Sequence, residues 1–379
     1  MTTHPNQEAA ERLHTRQARL TSLLNQEGLD ALALNPGPTL TYLTGLNFHL
    51  SERPVVLILA PPREPVLVLP ELESGKLDSL PFTIRAFTYN EEPATWPGVF
   101  QQAIQAAQIM GKKVGVESGR LRFLELSLLQ EAGKETLYKA ADLTLARLRM
   151  QKDPFEIEQM RAAVAIAQKA LQATLHNLKA GMSEREIAAE LTSQLYRQGS
   201  EAELPFSPIV SAGPNGANPH ATPTNRLLVP GDLLVVDWGA SYNGYFSDLT
   251  RTFAIGAPQP ESARIAEVVR EANTAGRELA RPGVACEAVD RAARQVIEAA
   301  GYGEFFIHRT GHGLGLETHE PPYIRSGNPM LLEPGMTFTI EPGIYLPGKN
   351  GVRIEDDILI TATGAESLSD LPRQLVQIG

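Results

Sequence analysis

Apolar residues recur at helical spacing over Glu8–Glu27, with Leu13, Leu20, Leu23 and Leu24 on the repeating positions, which predicts an amphipathic helix. The pattern then changes to short unbroken runs. Leu29–Leu34 reads as a buried strand, and Val55–Ala60 and Val66–Leu69 flank Pro61-Pro62-Arg63-Glu64-Pro65 as a hairpin or tight strand–turn–strand. Phe100–Met110 returns to helical spacing, and Val114–Val116 is another short strand. Residues 1–145 therefore read as a mixed α/β domain. Nothing in this part clusters catalytic residue types, so it is expected to serve as a scaffold or oligomerisation domain.

A boundary falls near 140–153, and 153–379 reads as a second domain. Asp153-Pro154 is a helix start, an N-cap acceptor followed by proline at the first helical position. The helix is expected to run to about Lys179 and stop at Gly181. Ser183 with Glu186 forms a capping box for a helix to about Gln198. Lys179-Ala180-Gly181, a helix and Gly199 resemble Arg281-Pro282-Gly283, a helix and Gly301, an offset of 102 residues at both ends. Each copy is followed by apolar strands and a hairpin. Two copies are too few for a solenoid. They fit a duplicated α+β unit with a pseudo-twofold axis and a site between its halves.

Composition narrows the classes. The 379 residues suit two domains or three, and 42% hydrophobic with 21% charged is an ordinary globular balance. Thirty-four Lys and Arg against 44 acids give a net charge of −10, which disfavours nucleic acid and anionic membrane surfaces. Cys286 is the only cysteine, so no disulfide framework or cysteine-rich zinc site exists, and a reducing cytoplasm fits. No apolar run approaches the ~18 residues of a membrane span. The stretch Met1–Leu20 lacks the apolar core of a secretory signal.

The chemistry concentrates in two hairpins. Leu233-Leu234-Val235-Val236-Asp237 is an apolar strand ending on an acid, and Tyr245-Phe246-Ser247-Asp248 returns after Ser241-Tyr242-Asn243-Gly244. Asn-Gly is a strong hairpin signal. The midpoint of Asp237 and Asp248 is 242.5, inside the turn, so the two acids are expected nearly opposite each other. Thr337–Glu341 and Val352–Glu355 flank Pro347–Gly351 in the same way, with the midpoint of Glu341 and Glu355 at 348. Like charges facing each other on a sheet are destabilising, and a buried pair must take up a proton or bind a cation. Two such pairs at equivalent places in two related halves favour the cation.

Histidine supplies a fifth ligand. His312 lies in Gly311-His312-Gly313-Leu314-Gly315, where missing side chains permit close approach. The prolines after His319 forbid a zincin helix, and the glycine spacing is wrong for a dinucleotide fingerprint. His220 sits in a rigid Gly/Pro/Asn loop. His4, His14, His49 and His176 read as surface or packing residues, and His308 as one that orders its strand. Four carboxylates balance two divalent cations. Oxygen-rich ligation suits Mn²⁺, while one imidazole admits Co²⁺ or Zn²⁺. Two metals ~3.5–4 Å apart can share a water and make it a hydroxide near neutral pH.

Val236-Asp237-Trp238-Gly239, Ser247-Asp248-Leu249-Thr250-Arg251-Thr252, the segment His308–Glu320, Ile340-Glu341-Pro342-Gly343 and Val352-Arg353-Ile354-Glu355-Asp356 resemble the motifs of the pita-bread metallopeptidases, in their proline-specific branch of prolidase and aminopeptidase P. The resemblance implies an α+β chain: a duplicated pita-bread catalytic domain behind a smaller N-terminal α/β domain. It implies Asp237 on one metal, Asp248 and Glu355 bridging both, and His312 and Glu341 on the other. It implies Glu341 as general base on a bridging hydroxide, with His220 and His319 holding the substrate and stabilising the tetrahedral intermediate. Arg353, two residues from Glu355, looks like a site-orienting or substrate contact. The family's typical metal is Mn²⁺ or Co²⁺ and its usual assembly a homodimer. The substrate implied is a small peptide with proline second.

One position departs from the pattern. Some prolidases carry, four residues after the second histidine, an arginine that can hold a dipeptide's carboxylate; here that residue is Tyr323. Arg325, Arg353 or an N-terminal-domain residue are the candidate replacements. The segment His308–His319 and the hairpin after Glu341 look more like bacterial prolidases, which favours an Xaa-Pro dipeptidase over an Xaa-Pro aminopeptidase. A methionine aminopeptidase normally lacks a large N-terminal domain. A creatinase-type hydrolase or a non-catalytic peptide-binding protein on the same fold would be expected to lose ligands that are all present here.

Overall fold

The computed structural model describes residues 5–179 and 181–378, so His4 and the Ala180 of the repeat lie outside the described residues. The chain divides into two compact units between Arg149 and Met150.

The first unit is built on six strands in the order Arg85–Tyr89, Val66–Pro70, Val56–Leu59, Ala31–Leu34, Lys113–Val116 and Leu137–Ala140. The run Val56–Leu59 and its successor form the expected hairpin, Val56 opposite Val68 and Ile58 opposite Val66. Ala31–Leu34 pairs parallel with Lys113–Val116, the connection running through other elements. Helix Trp96–Ala107 lays Phe100, Ala103, Ile104 and Ala107 on the apolar sheet face of Val56, Ile58, Val66 and Val68, all buried. The first helix, Pro5–Glu27, starts three residues earlier than its apolar pattern and buries Leu13, Leu20 and Leu24.

The second unit repeats one plan. Helices Pro154–Asn177 and Glu184–Arg197 precede a sheet ordered Val376–Ile378, Leu249–Ile255, Leu233–Trp238, Ile209–Ala212. Helices Pro260–Leu279 and Cys286–Ala299 precede one ordered Glu320–Ile324, Gly311–Gly313, Thr337–Ile340, Asp356–Ile360, Ala365–Ser367. The expected capping box of Ser183 with Glu186 forms, and Asp153 makes a second one with Glu156. The offset seen in sequence is a structural one: Gly181 and Gly283, like Gly199 and Gly301, have positive φ, and the bridge Ser183–Leu227 has its counterpart in Ala285–Leu331. Fully buried Trp238 fastens the first half's central strand to its helix, donating from Nε1 to the Ala167 carbonyl at 2.8 Å.

Candidate active site

Asp237 stands near the end of strand Leu233–Trp238, and the returning strand Leu249–Ile255 sets Thr250 opposite it. The expected face-to-face pairing of Asp237 with Asp248 is thus corrected by two residues: Asp248 precedes the strand and lies diagonal to Asp237. The turn is the reason. Asn243 and Gly244 both have positive φ, 49° and 77°, as a two-residue hairpin turn requires. That turn is centred on its own peptide bond, and pairs Tyr242 with Tyr245 and Ser241 with Phe246. The second hairpin follows the expected register. Gly343 faces Arg353 and Leu346 faces Asn350, while beyond the gap Ile340 faces Asp356. One register spans both ladders and sets Glu341 across from Glu355.

The halves join at these acids. Glu355 N–H donates to the Thr250 carbonyl at 3.1 Å, and Thr250 Oγ1 donates to Glu355 Oε2 at 2.6 Å. His312 enters from strand Gly311–Gly313. A side chain at Gly311 would run into the Thr339 carbonyl, so the bare backbone there lets two strands close up. His312 Nε2 lies 3.3 Å from Glu341 Oε1 and 3.7 Å from Asp248 Oδ2. Asp248, His312 and Glu355, all buried, each offer a ligand atom within 4.8 Å of the others. Asp237 Oδ2 accepts from Arg353 Nη2 at 2.5 Å, while its buried Oδ1 has no hydrogen-bond partner. A buried carboxylate oxygen without a partner, beside three further acids and an imidazole, is a donor set that fits divalent cations.

The same crowding sets the direction in which each of these groups is shifted. Burial, then Glu355, Asp237, Asp357 and Glu341, push Asp248 well above the usual carboxylate range. Burial, Glu341 and Asp237 do the same to Glu355 against Arg353 and Thr250. Burial raises Asp237 in spite of Arg353. Glu341 goes the other way: burial opposes its ionisation, but the hydrogen bond and charge of His312, with His308 and Arg353, hold it at about 2.

The other predicted residues sit around this core. His319 packs edge-on against His312, ring centroids 4.1 Å apart. Burial, then His312 and Arg309, lower its pKa to about 4. Burial lowers the His308 pKa, and His220, exposed on its loop, is near enough to add a smaller depression to both His308 and His319. Arg353 is buried with its fork on protein acceptors: Asp237, Thr250 Oγ1 at 3.1 Å, Tyr345 Oη at 2.8 Å and the Pro219 carbonyl at 3.3 Å. Arg325 is exposed and donates to the carbonyl of its neighbour Ser326. His308 does more than order its strand: Nε2 is 2.8 Å from Tyr345 Oη and Nδ1 is 4.0 Å from Glu341.

Sequence reasoning missed Thr250, Tyr345 and Arg309. Thr250 was legible as the residue opposite Asp237 once the turn is centred on Asn-Gly. Tyr345 and Arg309 carry no local signal, because their neighbours come from distant segments. The half-buried Arg309 guanidinium lies over the Tyr323 ring, 4.8 Å from its centroid.

Residues 158–362 match the model of metallopeptidase family M24, just over half of the chain. The chain belongs to that family. Residues 16–151 match the creatinase/prolidase N-terminal domain. Among relatives, "Probable dipeptidase PepE" of Mycobacterium tuberculosis is 38% identical over 354 residues, 93% of this chain and 92% of the relative. Among solved structures, a prolidase from Thermococcus sibiricus superposes with a TM-score of 0.90 at 35% identity, covering 97% and 98% of the two chains. An X-Pro aminopeptidase from Thermotoga maritima gives 0.84 at 30%, covering 96% and 99%. This M24 protein is a metallopeptidase with the pita-bread catalytic domain expected from its motifs. Among its described residues no helix is long and apolar enough to cross a membrane.

Proposed function

We propose that this M24 peptidase hydrolyses Xaa-Pro bonds, acting as an Xaa-Pro dipeptidase. The observation that carries the reading is the convergence of Asp237, Asp248, His312, Glu341 and Glu355 from both halves on one buried centre. These five would hold two divalent ions, Mn²⁺ first, Co²⁺ or Zn²⁺ next. Such ions, when bound, acidify a water and polarise the scissile carbonyl.

The chain's own groups do the rest. Glu341, ionised across the neutral range, accepts the proton of the attacking water. His319 is neutral at pH 7, so its N–H donates to the carbonyl oxygen as negative charge develops there. His220 contacts the substrate from its exposed loop. Arg353 orients Asp237 instead of touching substrate, since all its bonds go to protein. The proline nitrogen has no hydrogen to donate, so proline is selected by shape and apolar contact.

A dipeptide ends in a carboxylate beside the reacting bond and needs a cation there. Arg353 is committed and Arg325 faces solvent. We assign the role to Arg309, which is near enough to His319 to shift its ring and whose N–H groups meet no protein acceptor among the described residues. Names among the relatives support either preference: dipeptidase and prolidase on one side, X-Pro aminopeptidase on the other. The lone buried thiol Cys286 suits the cytoplasm, and a homodimer belongs to the same reading.

The test is hydrolysis of Leu-Pro and Leu-Pro-Pro by Mn²⁺-reconstituted wild type and Arg309→Gln. Cleavage of Leu-Pro, with KM raised at least tenfold in the variant, is expected. Preference for the tripeptide makes the protein an aminopeptidase P. Cleavage of neither favours a non-catalytic peptide-binding protein.

A further inference from the structure

Three arginines converge on one aspartate behind the candidate centre. Asp356, fully buried, directly follows Glu355. Its Oδ1 accepts from Arg251 Nη2 at 2.7 Å and Ser369 Oγ at 2.6 Å. Its Oδ2 accepts from Arg373 Nε at 2.7 Å and lies 4.0 Å from Arg277 Nε. Arg251 is saturated: its other N–H groups donate to the carbonyls of Thr250, Glu355, Leu371 and Pro372.

The other two arginines are not saturated. Arg373 Nη2 donates to Ser367 Oγ at 2.9 Å, and Arg277 Nε donates to Asn273 Oδ1 at 2.7 Å. Among the described residues, neither Nη1 meets an acceptor. Their side chains are 20% and 24% exposed, so both open to solvent while leaning on the same buried carboxylate. Exposed Glu278 is the nearby acid acting on Arg277, and with it counted the cluster remains net positive. This occurs in a chain whose overall charge of −10 repels anions at long range. Retention of an anion must then come from the local pair, at short range.

We infer that Arg277 and Arg373 form a binding site for a phosphate-class dianion, either inorganic phosphate or a phosphoryl group. Tetrahedral oxygens can accept from the free Nη1 groups of both guanidiniums at once, and an anion offsets the positive excess that Asp356 and Glu278 leave. The anion closes a cluster whose third arginine carries the Thr250 and Glu355 carbonyls, so it braces the junction of the two halves from behind.

The experiment titrates phosphate against chloride at constant ionic strength and follows the melting temperature of the full chain, Mn²⁺-loaded and metal-free. Wild type should show a saturable rise of about 3 °C or more, present with and without metal. Arg277→Gln should weaken binding at least tenfold, read as the loss of the phosphate-induced rise from its own phosphate-free melting temperature, while keeping its Leu-Pro turnover. Adenosine monophosphate in place of phosphate tells the sources apart: competition means a site open to phosphoryl groups, and no competition means a site for the free anion. An equal rise in Arg277→Gln, a rise matched by chloride, or one that needs the metal would overturn the proposal.

Discussion

Replacing Asp248 with Asn should stabilise the metal-free protein and remove its response to metal. Asp248 and Glu355 present ligand atoms within 4.8 Å of each other in a buried setting. At an effective dielectric of about 20, two full charges at that separation repel by about 3.5 kcal/mol. Partial proton uptake relieves some of this at neutral pH, and Asp→Asn keeps the volume. The net gain is roughly 1–3 kcal/mol, or about 3–10 °C for a unit of this size. Circular dichroism melts of metal-free wild type and Asp248→Asn at pH 8 measure it directly. Wild type should then gain about 2.7 kcal/mol at a hundredfold excess of Mn²⁺ over its dissociation constant, and the variant should gain far less. The pH dependence has a defined sign. Asp248 and Glu355 titrate above their unfolded values of about 3.9 and 4.3, so the folded state binds more protons over the range between. These two carboxyls therefore add stability as pH falls from 8 towards 5, opposed by His319, whose folded value of about 4 lies below the ordinary imidazole value. The readout is the difference between the proteins: the excess stability of metal-free Asp248→Asn over wild type should shrink as pH falls. Glu341, held at about 2, is ionised in both states there and acts only below about 4.3, where stability is lost as pH drops. A metal-free variant that melts below wild type at pH 8 would refute the crowding argument.

Three more outcomes follow from the same geometry. Tyr345→Phe removes the hydroxyl shared by Arg353 and His308 and should cost about 1–2 kcal/mol, with kcat falling more than KM changes, measurable by melts and steady-state kinetics. Arg353→Lys cannot span Asp237, Tyr345 and the Pro219 carbonyl together, and equilibrium dialysis should show Mn²⁺ affinity down by about 10–100-fold. Ser183→Ala breaks a capping box far from the acids and should cost about 1 kcal/mol in urea melts while turnover stays at the wild-type value.

Local chemistry was the legible part of this fold. Asp153-Pro154 and Ser183 with Glu186 announce two helix starts; both helices begin there, and the structure adds Glu156 as the second member of a box at Asp153. The Glu341–Glu355 register was readable because one ladder phase continues on both sides of the gap. The Asp237–Asp248 register was misread because it was centred on the acids instead of on Asn243-Gly244, whose dihedral angles dictate the pairing. The five candidate ligands stand out as chemically costly residues in or beside buried strands. Their supports do not. Tyr345, His308 and Arg309 act through partners brought in by tertiary packing, and an arginine over a tyrosine ring has no sequence period.

The duplicated plan also sets how the catalytic unit comes apart. Asp237 and Asp248 belong to its first half, and His312, Glu341 and Glu355 to its second. On the proposed ligand set, an ion held by both would be a reversible cross-link placed at the seam, where Thr250 already meets Glu355. Without it, each half can open on its own, and amides of strands Leu249–Ile255 and Asp356–Ile360 can exchange through separate partial unfoldings. With it, opening either half means releasing the ion, so those partial routes merge into one all-or-none event. Metal supply would then fix the size of the cooperative unit, and with it the exposure of this chain to proteolysis.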